Sequence, residues 1–302
     1  MSEKTLIVIV GPTAIGKTEL AIKVAQEFNT EIISADSRQF YREMSIGTAK
    51  PTAEELAAAP HHFIDSLSIT DTYTVGDYEV EALQRLGKLF ERRSQAVLVG
   101  GSGLFIKAVT DGFDDLPKAP VLLREELNQA VELHGLQSLQ ERLKKLDPEY
   151  FNEVDLNNPQ RVIRALEVCL STGQPFSSFR QKNLKKRDFE IIKIGLTTDR
   201  EKLYNRINLR VDKMMELGLL EEVKTLRPYE NQNALNTVGY SELFAHLKGE
   251  LSLTDAVASI KQNTRRFAKR QLTWFRRDAE ITWFDPEDSQ AILEFIREKA
   301  VG

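Results

Sequence analysis

Gly11-Pro12-Thr13-Ala14-Ile15-Gly16-Lys17-Thr18 fits the pattern G-x-x-x-x-G-K-[ST] at every fixed position. It follows directly on the apolar run Leu6-Ile7-Val8-Ile9-Val10 and leads into a helical pattern over Glu19–Phe28. Strand, tight loop and helix are the setting that a phosphate-binding loop requires. Backbone N–H groups of the loop and of the helix N-terminus then converge on one concavity and favour an anion there. Residues 11–18 are read as a seat for diphosphate or polyphosphate, with Lys17 adding charge and the Thr18 hydroxyl able to bind Mg²⁺. The loop names a ligand group and not a reaction, because kinases, NTPases and a few transferases share it.

Working outward, strand candidates at Glu31–Ser34, His62–Asp65 and Ala96–Val99 alternate with helical patterns at Thr52–Ala58 and Val75–Arg92. Such βαβ alternation predicts an α/β fold with a parallel sheet covered by helices. After Gly112 the character changes, and Val121 to Thr172 reads as helix almost throughout. Asn158-Pro159 is a helix start, with Asn as cap and Pro at the first helical position. Strand patterns return at Glu190–Leu196 and Ile281–Phe284. The expected organisation is a core over 1–112 and 190–302, interrupted by a helical insertion over 113–189.

Length and composition are those of a soluble globular chain: 302 residues, 41% hydrophobic and 28% charged, with net charge -4. A single cysteine, Cys169, excludes an internal disulfide and a cysteine-rich zinc site, and is read as a small core residue. No signal-peptide pattern and no bilayer-length apolar stretch is present, so a cytoplasmic protein acting away from membranes is expected.

Asp36, in Ser34-Ala35-Asp36-Ser37-Arg38-Gln39, falls just beyond a strand end, on the sheet edge where ligands bind. It could ligate Mg²⁺, take a proton from a substrate, or simply cap a turn. Val99-Gly100-Gly101-Ser102-Gly103 closes another strand without the acidic residue that usually handles Mg²⁺ in P-loop NTPases. Arg206 and Arg210 lie one turn apart on a helix and suit a departing diphosphate, or else form a solvated face. Lys261 to Arg277 holds seven basic and no acidic residues, interleaved with Phe267, Trp274 and Phe275. A second basic cluster comprises Arg180, Lys182, Lys185, Lys186 and Arg187. Basic clusters in a net-negative chain, one with aromatics able to stack on bases, point to RNA.

Taken in order, GPTAIGKT, SADSRQFYREMSIGTAKP, VLVGGSGLF, NNPQRVIRALEV, RINLRVDKMMELGLLEEV, NTVGYSEL and TRRFAKRQLTWFRR make the chain resemble the tRNA dimethylallyltransferase family, in its bacterial form without a zinc-binding extension. The resemblance implies a P-loop kinase-like core, dimethylallyl diphosphate with Mg²⁺ at the loop, and an insertion that grips the tRNA anticodon arm. By position it implies Asp36 as general base and Asp36, Ser37, Arg38 and Gln39 as a tRNA-contacting segment. Gln160, Arg161 and Arg164 match a second such segment, and Arg124 a further tRNA-facing position. Arg210 matches the diphosphate site, with Arg206 beside it; Ser102 stands where many members carry threonine. Arg265, Arg266, Lys269, Arg270 and Trp274 complete the expected tRNA surface. Catalysis is expected from Asp36, Ser102, Lys17 and Arg210, in a monomer. Three alternatives remain at this point: a small-molecule or nucleoside kinase using ATP, a transferase acting on free adenine nucleotides, and a non-catalytic RNA-binding module. The roles of His61 and His62 are left open, with a structural reading favoured by the strand they enter.

Overall fold

The computed structural model describes residues 4–114, 116–180 and 185–300. They form two compact units, Met1–Asp111 with Lys186–Gly302, and Gly112–Lys185. The strands are β1 Thr5–Val10, β2 Ile32–Ser34, β3 His61–His62, β4 Gln95–Gly100, β5 Glu190–Leu196 and β6 Thr282–Phe284. The helices of the first unit before the insertion are α1 Lys17–Glu27, α2 Ala53–Ala58, α3 Val75–Phe90 and α4 Gly103–Thr110. Those of the second unit are α5 Val121–His134, α6 Leu136–Leu146, α7 Pro148–Glu153 and α8 Pro159–Thr172. The first unit resumes with α9 Arg200–Glu216, α10 Leu219–Thr225, α11 Tyr240–Leu247, α12 Leu253–Phe275 and α13 Ser289–Ala300.

The six strands make one parallel sheet in the order β3-β2-β4-β1-β5-β6. This is the α/β architecture expected from the alternating pattern. β1 lies inside the sheet, and all six of its residues are buried. Ile7 and Ile9 pack on one face with Leu20, Val24, Ile207 and Ile292; Leu6, Val8 and Val10 pack on the other with Tyr78, Leu86 and Val109. Helices covering both faces explain why the strand reads as an unbroken apolar run instead of an alternating one. A third core joins Val211 of α9 to Leu219, Tyr240, Leu243 and Ile260, and to Tyr41 and Met44 of the loop after β2.

Two expectations need correction. The strand expected over His62–Asp65 is only His61–His62, because Phe63 (φ 63°) and Asp65 (φ 53°) adopt left-handed backbone that cannot continue a strand. The glycine turn after β4 leads at once into a helix, α4, that the sequence reading does not anticipate. His62 pairs with Glu31 at 2.6 Å, and His61 Nδ1 lies 2.8 Å from the Ala59 carbonyl, so both act within the sheet edge.

The basic segment that leaves the insertion is used partly for structure. Arg187 donates to the Val109 and Ala108 carbonyls at the end of α4 and pairs with Glu79 at 3.1 Å. Cation at a helix C-terminus is favourable, and these bonds satisfy carbonyls that the helix leaves open. Arg180 pairs with Glu153 at 2.7 Å and lies over the Tyr150 ring. Lys182 lies outside the described residues.

The second unit is helical over its described residues, with its own core of Leu127, Leu139, Leu143, Val162, Leu166 and the buried Cys169. α8 begins as the Asn-Pro pair predicts, with the Asn158 side chain accepting from Arg161 N, and stops at Gly173 in left-handed backbone (φ 71°). Asp147 is 1% exposed and accepts from Tyr150 N, Ser177 N and Ser177 Oγ, tying the start of α7 to the turn at Phe176–Phe179. Among the described residues no helix is long and apolar enough to cross a membrane.

Candidate active site

Strand order decides which loops meet. β2, β4 and β1 are neighbours, so the turns that follow them open at the same edge of the sheet. Gly100 makes the approach of two of them possible: a Cβ there would lie 2.4 Å from the Ala35 carbonyl oxygen. A cleft of about 810 Å³ opens at this edge, and Thr13 to Glu19, Asp36, Arg206 and Arg210 line it.

The loop carries its strain at Ala14, a non-glycine residue at φ 64°, and at Gly16, which caps α1 at φ 108°. A left-handed alanine costs about 1 kcal/mol, which the packing of the loop must offset. The first N–H groups of α1 have no intrahelical acceptor and face the loop, which leaves them for an anion. Lys17 Nζ arcs back to donate to the Pro12 carbonyl at 2.8 Å. Burial pulls the Lys17 ammonium from 10.5 to about 8; the Asp36 carboxylate opposes that shift and Arg210 adds to it. Arg210 is likewise lowered, first by burial, with Asp36 and Glu55 opposing and Arg206 reinforcing. Arg206 Nη1 donates to the Ile15 carbonyl at 3.4 Å. Three cations crowded at one partly desolvated loop suit a polyanion.

Asp36 faces these cations across the cleft. One carboxylate oxygen accepts from Arg38 N at 3.1 Å, which fixes the turn after β2 and leaves the rest of the group directed at the cleft. Ser102 Oγ accepts from Ser37 N at 3.2 Å and lies 3.3 Å from Ser37 Oγ. Ser102 therefore steadies the Asp36 turn from the neighbouring strand end. Among the described residues no cluster of three or more His, Cys, Asp or Glu could hold a metal. A divalent ion at this loop fits a hard-oxygen set made of the Thr18 hydroxyl and the oxygens of a bound diphosphate.

The opposite wall is a loop that the sequence reading did not single out as a site. Glu222 of α10 accepts from Ser45 N (3.0 Å), Ile46 N (2.7 Å), Gly47 N (3.0 Å) and Tyr240 OH (2.6 Å). Gly47 sits against the Tyr240 ring, where a Cβ would come within 2.5 Å. From the other side Gln39 Nε2 donates to the Thr48 and Ala49 carbonyls, both at 3.1 Å. Leu209, Met214, Leu217 and Phe267 add apolar surface to the cleft.

The sequence pattern of the IPP transferase family matches residues 39–278. This chain belongs to that family. It is 57% identical over 295 residues to a tRNA dimethylallyltransferase of Christiangramia forsetii, covering 97% of this chain and 98% of the relative. A tRNA dimethylallyltransferase of Flavobacterium johnsoniae is 51% identical, with 98% of each covered. The crystal structure of a tRNA isopentenylpyrophosphate transferase from Bacillus halodurans superposes with a TM-score of 0.74 at 40% identity, covering 99% of this chain and 97% of that one. A eukaryotic dimethylallyltransferase captured acting on tRNA gives a TM-score of 0.81 at 27% identity, covering 98% of this chain and 80% of that one.

The residues that the family resemblance assigned to tRNA fall into three groups. Asp36 and Gln39 line the cleft, with the Gln39 amide nitrogen engaged by the loop carbonyls, and Ser102 holds Ser37 between them. On α12, Lys269, Arg270 and Trp274 are exposed, while Arg265 turns to Asn208 of α9 at 2.6 Å and Arg266 to Asn263 at 3.3 Å. In the second unit Arg124 bonds Glu167 at 3.1 Å and Gln160 at 2.7 Å, and Arg164 bonds the other oxygen of Glu167 at 3.2 Å. The Glu167 side chain is 4% exposed, so a buried carboxylate orients both arginines. Arg161, the residue after Gln160 in the first turn of α8, is exposed.

Proposed function

We propose that this chain transfers a dimethylallyl group from dimethylallyl diphosphate to N6 of the adenine beside the anticodon of tRNA and releases diphosphate. The observation that carries the reading is the cleft itself: a cationic diphosphate seat on one strand end faces a carboxylate, Asp36, from another. The names of its relatives supply the substrate class, and they leave an ATP-dependent kinase disfavoured. Apolar Leu209, Met214 and Leu217 suit an isoprenyl chain beside the diphosphate.

In the reaction the N6–carbon bond forms as the bond from the allylic carbon to the diphosphate oxygen breaks. The N6 lone pair is delocalised into the ring, so Asp36 accepts the proton as the bond forms. Loop N–H groups, Lys17, Arg206 and Arg210 receive the charge that develops on the leaving diphosphate. Mg²⁺, held by the Thr18 hydroxyl and the diphosphate, would supply further charge neutralisation there. The adenine must leave its stack to reach the cleft, and the exposed Trp274 and the basic face of α12 suit an unstacked RNA segment. The insertion, with Arg124, Gln160, Arg161 and Arg164, is assigned to the anticodon arm, and the working form to a cytoplasmic monomer.

Incubation of unmodified tRNA with labelled dimethylallyl diphosphate and Mg²⁺, in parallel with γ-labelled ATP, tests the proposal. Digestion to nucleosides should place the label on N6 of one adenine. Phosphate transfer from ATP without prenyl transfer would overturn it.

A further inference from the structure

Gln271 lies on the buried side of α12 and is 7% exposed, although its neighbours Lys269, Arg270 and Thr273 face solvent. Its carboxamide oxygen accepts from Thr13 N at 2.9 Å, and its nitrogen donates to the Gly101 carbonyl at 2.9 Å. Thr13 belongs to the phosphate-binding loop after β1, and Gly101 to the turn after β4. The next residue, Ser102, receives Ser37 N of the Asp36 turn. One side chain thus closes a continuous link from the diphosphate seat to the segment that carries Asp36. The close approach of this carboxamide to Gly101 leaves little room there. A Cβ on Gly101 would lie 2.3 Å from Gln271 Nε2, so a side chain at position 101 would have to displace the carboxamide from its place. A carboxamide can donate and accept at once; a carboxylate would face the Gly101 carbonyl with no proton, and a thioether would serve neither group.

We propose that Gln271 is a positioning residue for the transfer, clamping the phosphate-binding loop to the Gly101–Ser102 turn so that the diphosphate and Asp36 keep a fixed separation. It lines the cleft, but both polar atoms of its carboxamide are taken up by the two turns. The inference rests on the transfer reading above. A displacement needs nucleophile, carbon and leaving oxygen held close to reacting distance, and an error of about 1 Å costs roughly 10²-fold in rate.

The test compares full-length Gln271→Met, Gln271→Ala, Gly101→Ala and the double variant Gly101→Ala/Gln271→Ala, each below its melting range. Gln271→Met and Gly101→Ala should each lower kcat by about 10–100-fold while KM for tRNA stays within about twofold. Gln271→Ala removes the atoms that a Cβ at position 101 would meet, so the double variant should be no slower than Gln271→Ala alone. Unchanged kcat in variants with a lowered melting temperature would make Gln271 only a packing element and overturn the proposal. So would losses that simply add in the double variant. If the wild-type protein transfers no prenyl group, the transfer reading fails, and the clamp is judged on affinity for inorganic diphosphate. Non-additive losses there support it; additive or absent effects overturn it.

Discussion

Lys17→Met should stabilise the ligand-free protein while destroying its grip on diphosphate. Lys17 is held at about 8 instead of 10.5, chiefly by burial. Below about pH 8 both folded and unfolded chains carry the charged lysine, and the cost of burying that charge is fully present. Between about 8 and 10.5 the folded protein loses the proton while the unfolded chain keeps it, so wild-type stability rises with pH across that window. At about 1.4 kcal/mol per tenfold, the shift sets a ceiling of about 3 kcal/mol on the cost near neutrality. Partial exposure of the side chain and loss of its bond to the Pro12 carbonyl reduce the expected gain to about 1–2 kcal/mol. Urea denaturation of both proteins without diphosphate, at about pH 7 and about pH 10, measures it. The margin of Lys17→Met should be largest at the lower pH and shrink at the higher. A variant less stable than wild type near neutrality, or a margin that does not change with pH, would refute the reasoning. In the wild type, diphosphate affinity should fall up to about tenfold per pH unit above about 8, as the ammonium is lost.

Asp36→Ala should lower kcat by about 10²–10⁴-fold with a much smaller change in diphosphate affinity, read by single-turnover rates and calorimetry. Glu222→Ala strands the N–H groups of Ser45, Ile46 and Gly47 and the Tyr240 hydroxyl; a loss of about 2–4 kcal/mol in denaturation and a raised KM for the donor are expected. Glu167→Gln weakens the carboxylate that orients Arg124 and Arg164, and should cost about 1–3 kcal/mol of stability, measured by denaturant titration. Lys269→Ala should weaken tRNA binding and lower the slope of its salt dependence by about 1, measured by filter binding across salt concentrations.

The parts of this protein that were legible in its sequence are those whose meaning is local. The phosphate-binding loop, the apolar strands and the Asn158-Pro159 helix start declare themselves within a few residues, because turn, cap and periodicity act at that range. Asp36 was legible one step further, since a residue after a strand of a parallel sheet falls at the ligand edge wherever that strand sits. Strand order was not: no local signal tells that β4 lies between β2 and β1. The partners that depend on that order were missed with it. Gln271 looks like one polar residue in a basic helix, yet its bond to Thr13 spans 258 positions. Glu222 reads as a helix-surface acid until Ser45–Gly47 and Tyr240 close on it. The basic clusters misled in the opposite direction, because a charge run does not distinguish Arg187, spent on the end of α4, from Lys269, left to solvent. The shortening of β3 likewise turned on two left-handed residues, Phe63 and Asp65, that carry no glycine signature.

The central claim is that the cleft joins an adenine amine to an allylic carbon at the expense of diphosphate. It is tested most directly with two anticodon stem-loops that differ only beside the anticodon, one with adenine and one with purine, which lacks the N6 amine. With labelled dimethylallyl diphosphate, the adenine stem-loop should take up label and release diphosphate one for one, and the purine stem-loop should do neither. Diphosphate release that is indifferent to the missing amine, or label that enters the purine stem-loop, would contradict the account.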